Sequence, residues 1–372
     1  MRYASISSHR SMVYDQRRNE YYYNALKQVV TPDSIVLDLG AGLGIHGLLA
    51  AKLGAKQVYM VEPEDIITVA KQIAEDNGLE KKFRFYRGKI EDIDLPSQVD
   101  IIISVLTGNF LLNEDLLPSL FYARETYLKP DGDLIPDKAV MFATPVYLPE
   151  LYDKEIEVWS QTLWELDFIH AKQYSSNTLF YRRDELSKAS YLAKPDSLFE
   201  MDFYSIQDVY CDFERIYTIT KSSLCHGWIG WFDLQLGDQW LSTAPHEPKL
   251  HWSPAFLPLD PPINFVEGEQ VRFRIIRPPL GNWSWIVETE NTKQKHSTIL
   301  AEPLSKETVT KIALSYTPQL NEDGEVVMYI LSQADGGQTT QQIVDKLLSK
   351  YNNRYSYAAA QKLVQSLVKH YG

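Results

Sequence analysis

The fold of this 372-residue chain is decided by the stretch Ile35-Val36-Leu37-Asp38-Leu39-Gly40-Ala41-Gly42-Leu43-Gly44-Ile45. Its apolar start predicts a buried β-strand, and the three alternating glycines predict a tight turn that leads into a helix. Peptide N–H groups at the start of that helix would point at a ligand above the turn. A second apolar strand ends in Glu62, where a carboxylate commonly accepts hydrogen bonds from ribose hydroxyls. The stretch therefore predicts a nucleotide-binding α/β domain.

Two features indicate which nucleotide this turn holds. Residues 42–47 fit the glycine pattern of dinucleotide-binding proteins, but Asp38 would crowd a pyrophosphate and suits a sulfonium or an amino group. After a later strand, Ile90 is placed to cover one face of an adenine and Glu91 to accept from its amine. These residues predict a site for S-adenosylmethionine. An NAD-dependent oxidoreductase is the alternative, and it would leave Glu91 without a role. Glycines that only shape a turn are a further alternative.

Composition excludes several classes of protein. The formal net charge of −12 argues against bulk attraction to nucleic acid or to an anionic membrane. The only cysteines, Cys211 and Cys225, predict neither a disulfide framework nor a metal site, and they favour a reducing, cytoplasmic location. A polar N-terminus predicts no signal peptide, and the apolar run at 99–106 is too short for a membrane span.

Three regions follow from the patterning along the chain. Residues 1–138 predict N-terminal lid helices and a Rossmann-like domain in which apolar strands alternate with helices. Residues 139–302 predict an antiparallel β-barrel or sandwich, interrupted at 150–195 by a mixed helical segment that could protrude as an arm, which the family resemblance described below places at about 168–200. Residues 303–372 predict a small helical or winged-helix module. From residue 331 onward it carries five Lys/Arg and two Asp/Glu, a net charge of +3 that supports DNA binding only weakly.

The loop after the strand at 99–104 is placed to meet a second substrate, because ligands of open α/β sheets bind beyond the carboxyl ends of the strands. Its one carboxylate before the helix that the sequence predicts over 115–128 is Glu114. We predict that Glu114 contacts the acceptor, and favourable charge at a helix start is the alternative. Near the N-terminus, Arg18 is placed to pair with the carboxylate of a bound amino-acid moiety. The neighbouring tyrosines at 21–23 either close over the ligand or pack on the domain.

Several of these segments together resemble the protein arginine methyltransferases. The resemblance runs over about residues 9–298 in the order of that family. The residues and motifs that carry it are Met12-x-x-Asp15-x-x-Arg18, the glycine loop at 38–44, Glu62, Gly88-Lys89-Ile90-Glu91, Gly108-x-Phe110-Leu111-Leu112-x-Glu114, His251-Trp252 and the strand leading to Glu267-Gly268-Glu269. It implies a methyltransferase domain of the S-adenosylmethionine-dependent kind, then a β-barrel whose arm mediates a homodimer.

The resemblance also implies a role for individual residues. Arg18 would bind the donor carboxylate, and Met12 would pack near the sulfonium. The methionine chain would be lined by Asp38, Gly40, Gly42 and Gly44. Glu62 would bind the ribose, and Ile90 with Glu91 would bind the adenine. The predicted catalytic residues are Glu114, which orients or deprotonates the acceptor, and His251, which supports it. The predicted acceptor-binding residues are Tyr22, Val105, Asn109 and Trp252.

One departure from the family pattern concerns the acceptor. The family carries two glutamates in the acceptor loop, and the first of them falls on Val105 here, while Leu250 replaces a threonine before His251. Losing one carboxylate removes roughly 1.5–3 kcal/mol of charge-assisted bonding to a guanidinium. The acceptor is therefore a nitrogen of a peptide, a protein or a small molecule, and arginine is one choice among these. A catalytically inactive homologue that keeps the donor site is the rival hypothesis.

The C-terminal module resembles the small peptide-binding domains of enzymes that modify ribosomal peptides. The features that carry this resemblance are the turn at Asp335-Gly336, the helix after it, for which Thr340 is the predicted cap, and an amphipathic final helix. A helical subdomain that only stabilises the barrel is the alternative.

Overall fold

The central strand of the first sheet is the apolar stretch that precedes the glycines. The computed structural model describes residues 5–351 and 354–371. The sheet has five parallel strands in the order β3-β2-β1-β4-β5. Their bounds are β1 Ile35–Leu39, β2 Gln57–Glu62, β3 Phe83–Arg87, β4 Val99–Ser104 and β5 Leu128–Ile135. The helices of this part are α1 Ile6–Val13, α2 Gln16–Val29, α3 Ile45–Lys52, α4 Ile67–Asp76 and α5 Leu117–Tyr127.

Strand register brings the functional ends of three strands together. Ile35 pairs with Gln57, and Leu39 pairs both with Val61 and with Ser104. Strands β1, β2 and β4 are buried almost throughout, as expected for a parallel sheet that helices cover on both faces. The glycine turn, Glu62 and the loop after β4 therefore lie at one edge of the sheet. We call residues 105–116, between β4 and α5, the acceptor loop.

An antiparallel domain follows directly. Its strands are β6 Lys138–Tyr147, β7 Ser190–Tyr191, β8 Asp196–Asp202, β9 Cys211–Thr218, β10 Ser223–Leu236, β11 Gln239–Ser242, β12 Ala255–Phe265, β13 Gln270–Arg277, β14 Ser284–Glu288 and β15 Lys293–Ser297. One sheet is built around β10, which pairs with β6, β11 and β12, and the other has the order β15-β14-β13-β9. A single hydrophobic core runs from the parallel sheet into this domain. The predicted α/β fold with a second, antiparallel β domain is confirmed.

A helical excursion interrupts the antiparallel domain between β6 and β7. It contains the short helices α6 Pro149–Glu155, α7 Lys172–Ser175 and α8 Arg183–Leu186. The prediction of an arm that extends to about residue 200 is wrong at its C-terminal end, because β7 and β8 both pair with β6 in the sheet. The exposed apolar side chains lie earlier, between residues 158 and 169, and the Trp164 side chain at their centre is 87% exposed.

Residues from Leu304 onward form a second compact unit, whereas the first unit ends at Pro303. Its helices are α9 Lys306–Lys311, α10 Glu322–Ser332, α11 Thr340–Lys350 and α12 Tyr357–Tyr371. A separate core lies between the last three helices. The predicted cap at Thr340 is wrong by one residue, since Thr339 caps α11 in a capping box with Gln342. Across residues 5–351 and 354–371, no helix has the length and apolar character needed to span a bilayer.

The acceptor loop packs on the antiparallel domain at a position where β10 has a glycine. Phe110 is fully buried, and its ring lies against the Cα of Gly230 in β10. A Cβ placed on Gly230 would lie 2.3 Å from that ring. Glycine at this position in the strand therefore creates the space that fixes the loop against the sheet.

We expect Gly230→Ala to destabilise the protein by about 1–3 kcal/mol, because the Phe110 ring and its loop must move to avoid the added methyl group. Urea unfolding measures this change. Gly337→Ala is the matched control, since there a Cβ meets only the exposed Asp335 side chain at 3.3 Å. Equal free energies of unfolding for the two variants would contradict this packing.

Candidate active site

A cavity of about 560 Å³ lies beyond the carboxyl ends of β1, β2 and β4. The glycine turn, the N-terminal helices, the acceptor loop and residues 251–252 surround it. It brings together most of the residues predicted from the sequence. These are Met12, Arg18, Asp38, Gly40, Gly42, Glu62, Ile90, Val105, Asn109, Glu114, His251 and Trp252.

Three predicted residues do not line the cavity. Gly44 starts α3 with φ +78°, and a Cβ there would lie 2.7 Å from the Met60 side chain, so it serves helix packing. Tyr22 was predicted to bind the acceptor, and the structure contradicts this: its ring is fully buried and its hydroxyl donates to the Ser104 carbonyl at 2.9 Å. Glu91 is exposed, because a short 3-10 turn directs Ile90 inward instead, and it accepts from Ser119 at 2.6 Å.

The carboxyl group of Asp38 is buried at the end of β1. Its side chain is 3% exposed, and Oδ2 accepts from the Gly47 N–H at 2.8 Å. Burial raises the pKa of Asp38 to about 7, a shift that the Gly47 hydrogen bond opposes. A cation placed beside Asp38 would stabilise its charged form, so this position favours a positively charged ligand group.

Glu62 is held by the turn above it. Its two carboxylate oxygens accept one backbone N–H each, from Gly42 at 2.9 Å and from Glu64 at 3.0 Å. Burial raises its pKa, although both hydrogen bonds act against that shift. Each oxygen keeps a further lone pair, which is the arrangement needed to accept two neighbouring hydroxyls.

Arg18 supplies the buried positive charge of the cavity. It is 2% exposed, and its guanidinium donates to the Met12 carbonyl at 2.7 Å and to Asn19 Oδ1 at 3.0 Å. Neither partner is charged. Because burial lowers the pKa of Arg18, an incoming carboxylate would stabilise the charged guanidinium.

Asp15 joins the N-terminal helices to the antiparallel domain, a role that was not predicted from the sequence. Its Oδ1 caps α2 by accepting from the Arg18 N–H at 3.0 Å. Its Oδ2 accepts from the His251 backbone N–H at 2.8 Å and lies 3.1 Å from His251 Nδ1. Burial lowers the pKa of His251 to about 4, so the ring is neutral at pH 7 and Asp15 fixes the proton on Nδ1.

The acceptor loop and residues 251–253 form the other end of the cavity, which we call the acceptor end. Trp252 is 3% exposed, and its indole N–H donates to the Thr107 carbonyl at 2.8 Å. Asn109 Oδ1 accepts from the Ser253 N–H at 2.8 Å, which ties the acceptor loop to the loop that carries His251. Gly108 leaves room for Glu114, whose Cγ would lie 2.6 Å from a Cβ there. Val105 lines this end beside them.

Two histidines of the cavity were not predicted. The His9 ring lies over the glycine turn, 2.7 Å from where a Cβ on Gly42 would stand. His46, in the first turn of α3, stacks on Tyr22 with ring centroids 4.3 Å apart, and burial lowers its pKa well below the ordinary range. The sequence could have indicated both histidines, because His9 lies close to Met12 and His46 lies close to the glycines of the turn.

Comparisons with known proteins show which family the chain belongs to. Residues 36–132 match the model of a methyltransferase domain, and residues 137–284 match the arginine methyltransferase oligomerization subdomain. A rice protein arginine N-methyltransferase is 31% identical over 288 residues, which are 72% of this chain and 71% of that protein. The chain belongs to the protein arginine methyltransferase family.

Further relatives fit the same family with different coverage. A Dictyostelium discoideum protein arginine N-methyltransferase is 32% identical over 62% of this chain, and the match spans 47% of that longer protein. Among solved structures, a Trypanosoma brucei protein arginine methyltransferase, in an enzyme–prozyme heterotetramer with S-adenosylhomocysteine, has a TM-score of 0.72 at 26% identity, over 79% of this chain and 99% of that one.

The cofactor that the family implies is S-adenosylmethionine, and the residues of the cavity fit it. Arg18 suits its carboxylate, Asp38 its cationic groups and Glu62 its ribose hydroxyls, while the buried Ile90 offers an apolar surface to the base. Gly42 allows close approach to the turn, where φ is +56°. The family sets aside the NAD alternative.

We expect Asp38→Asn to stabilise the ligand-free protein by a few kcal/mol at pH 8 and to have no such effect at pH 4. The unfolded chain releases the Asp38 proton near pH 3.8 and the folded chain near pH 7. Stability of the natural protein therefore falls as pH rises between those values, and an amide avoids that loss. Thermal unfolding of both proteins at the two pH values tests this expectation, and equal melting temperatures at pH 8 would refute it.

Proposed function

We propose that this protein transfers a methyl group to a nitrogen of a peptide, protein or small-molecule acceptor, and that a guanidinium is not its preferred acceptor. The observation that carries the proposal is the composition of the acceptor end. Four carboxylates line the cavity among the described residues, and three of them, Asp38 in β1 and Glu62 and Glu64 at the end of β2, lie outside the acceptor loop. Glu114 alone belongs to the acceptor loop, and Val105 lies where the family resemblance implies a second carboxylate.

Each group at the acceptor end has a definable task. When bound, S-adenosylmethionine supplies a methyl group that is activated by its sulfonium. Glu114 orients the acceptor nitrogen and accepts its proton. The neutral His251, fixed by Asp15, lies across the domain junction from the glycine turn. Trp252 and Val105 exclude water from the acceptor, which strengthens the remaining polar contacts.

The relatives favour an arginine acceptor, since their names describe arginine N-methyltransferases. Val105 favours an acceptor other than arginine. A guanidinium with a carboxylate on only one edge loses roughly 1.5–3 kcal/mol of charge-assisted bonding, whereas a neutral amine, amide or imidazole loses nothing. We therefore infer an acceptor with less positive charge than arginine.

An inactive binding homologue is the second candidate, and Val105 favours it as well. It would bind S-adenosylmethionine without forming product. Incubation with the donor and a mixed panel of peptides and amines, followed by mass spectrometry, separates the two candidates. Methylated product supports the enzyme, and donor binding without product across the panel supports the inactive homologue.

We expect Val105→Glu to raise kcat/KM for an arginine-containing peptide by roughly ten- to a hundredfold, because it restores the second charge-assisted contact. Val105→Gln has the same length without the charge and serves as the control. Steady-state kinetics with labelled donor measure both variants. A natural protein that already prefers arginine, together with no gain in Val105→Glu, would contradict the proposed acceptor class.

We further propose that two copies of the chain associate through the exposed apolar segment at 158–169. Residues 137–284 match an oligomerization subdomain, which includes this segment. Within the segment, the side chains of Leu163, Trp164 and Leu166 are exposed to solvent. Contiguous apolar side chains on a surface commonly mark an interface. A short turn with positive φ at Trp164 and Glu165 projects them outward.

We expect Trp164→Ser to weaken self-association by roughly thirtyfold or more, as loss of a central aromatic anchor does at other interfaces. Sedimentation velocity over a range of protein concentrations measures the dissociation constant. Val266→Ser is the matched control, because Val266 is 63% exposed on the antiparallel domain outside the segment. An unchanged dissociation constant in Trp164→Ser would exclude this interface.

A further inference from the structure

A second cavity, of about 380 Å³, lies where the end of the acceptor loop meets the antiparallel domain. It is separate from the donor cavity, and the two share no lining residue. Its walls come from the end of the acceptor loop, from residues 178–181 before α8, from the turn between β13 and β14, and from the residues after β15. The lining residues used below are Asn113, Asp115, Tyr181, Arg277, Trp283 and Glu302.

Unpaired hydrogen-bond donors surround this cavity. Within the part of the chain that the structure describes, no partner is present for Arg277 Nε and Nη1, for the indole N–H of Trp283 or for the hydroxyl of Tyr181. All four atoms are buried. A buried donor without an acceptor bears its full desolvation cost, so four of them in one place indicate that acceptors are supplied from outside the chain.

Packing holds these donors in place. Arg277 is 3% exposed, its Nη2 donates to Asp115 Oδ1 at 2.7 Å, and its guanidinium lies 5.4 Å from the centre of the Trp283 ring. Trp283 in turn packs on Phe110 of the acceptor loop, with ring centroids 4.8 Å apart. Because these donor atoms are buried in the ligand-free chain, a ligand in the cavity meets them only when the Trp283 and Tyr181 side chains turn toward it.

The charges around the cavity decide the kind of ligand. Arg277 is its one positive side chain among the described lining residues, and Asp115 and Glu302 provide two negative ones. The guanidinium is already neutralised by Asp115, and a further anion would face net negative charge. The donors therefore call for a ligand that is rich in acceptors and uncharged, and the carbonyl groups of a peptide main chain have this chemistry.

We propose that this cavity binds main-chain carbonyl groups of an acceptor peptide, on the far side of the acceptor loop from the donor cavity. The inference rests on the proposed methyl transfer and names a peptide, not a small molecule, as its acceptor. Asn113 and Asp115 line the second cavity, whereas Glu114 between them lines the first. A peptide whose target nitrogen meets Glu114 has only to pass this loop to reach Arg277, Trp283 and Tyr181.

The indole N–H of Trp283 reports on occupancy directly. The full chain, labelled with ¹⁵N at its eight tryptophans, is titrated with N-acetyl-trialanine amide, and the Trp283 resonance is assigned from Trp283→Phe. We expect a saturable downfield shift of this indole proton with the uncharged peptide and none with sodium acetate at the same concentration. Absence of the shift with the peptide, or an equal shift with acetate, would overturn the proposal.

A pair of tyrosine variants separates binding from folding. Tyr181→Phe removes only a hydroxyl that has no partner in the described structure, so we expect an unchanged melting temperature and peptide affinity reduced roughly three- to tenfold. Tyr217→Phe removes a hydroxyl that donates to the Ala143 carbonyl, and we expect a lower melting temperature with unchanged peptide affinity. Unchanged affinity in Tyr181→Phe would refute the assignment.

Calorimetry with S-adenosylmethionine on the same preparation distinguishes a failure of the peptide site from a failure of the proposed methyl transfer. Loss of donor binding with a retained Trp283 shift would contradict the methyl transfer alone. Donor binding without a Trp283 shift would contradict the peptide site alone.

Discussion

Two buried carboxylates at the ends of neighbouring strands are the constraint on which the rest of the structure depends. Asp38 and Glu62 are removed from water and hold backbone N–H groups of the glycine turn and of α3. Gly47 makes one of these contacts feasible, because a Cβ there would lie 2.9 Å from Asp38 Oδ2. Burial opposes the charged form of both carboxyl groups, and a cationic ligand that also carries hydroxyls would stabilise that form.

The N-terminal helices connect this donor site to the acceptor site. Asp15 caps α2 and binds His251, while Arg17 forms an ion pair of 2.9 Å with Glu247 on the antiparallel domain. The helix that carries Arg18 is therefore fixed to the loop that carries His251. Donor and acceptor groups thus share one framework, as catalysis by positioning requires.

The sequence predicted those parts whose signal is local. Strands β1, β2 and β4 follow from apolar runs, and the turn follows from glycines that adopt positive φ. Asp38 and Glu62 could be placed because the ends of parallel strands meet at one edge. The wall of the acceptor site at Val105 was accessible only through the family resemblance.

The remaining features depend on geometry that spacing does not contain. Tyr22 lies in α2 between two partly buried tyrosines, and only packing shows that its hydroxyl serves the end of β4. Glu91 turns outward because of a single 3-10 turn. Asp15 and His251 are 236 positions apart, and the unpaired donors at Arg277 and Trp283 become visible only when the hairpin folds against the acceptor loop.

Asp38 is partly protonated near pH 7, and a cationic donor displaces that proton. Calorimetric titration of S-adenosylmethionine at pH 7, in two buffers of different ionisation enthalpy, counts the protons released on binding. We expect release of a substantial fraction of one proton by the natural protein and markedly less by Asp38→Asn. Identical binding enthalpies in the two buffers for the natural protein would contradict it.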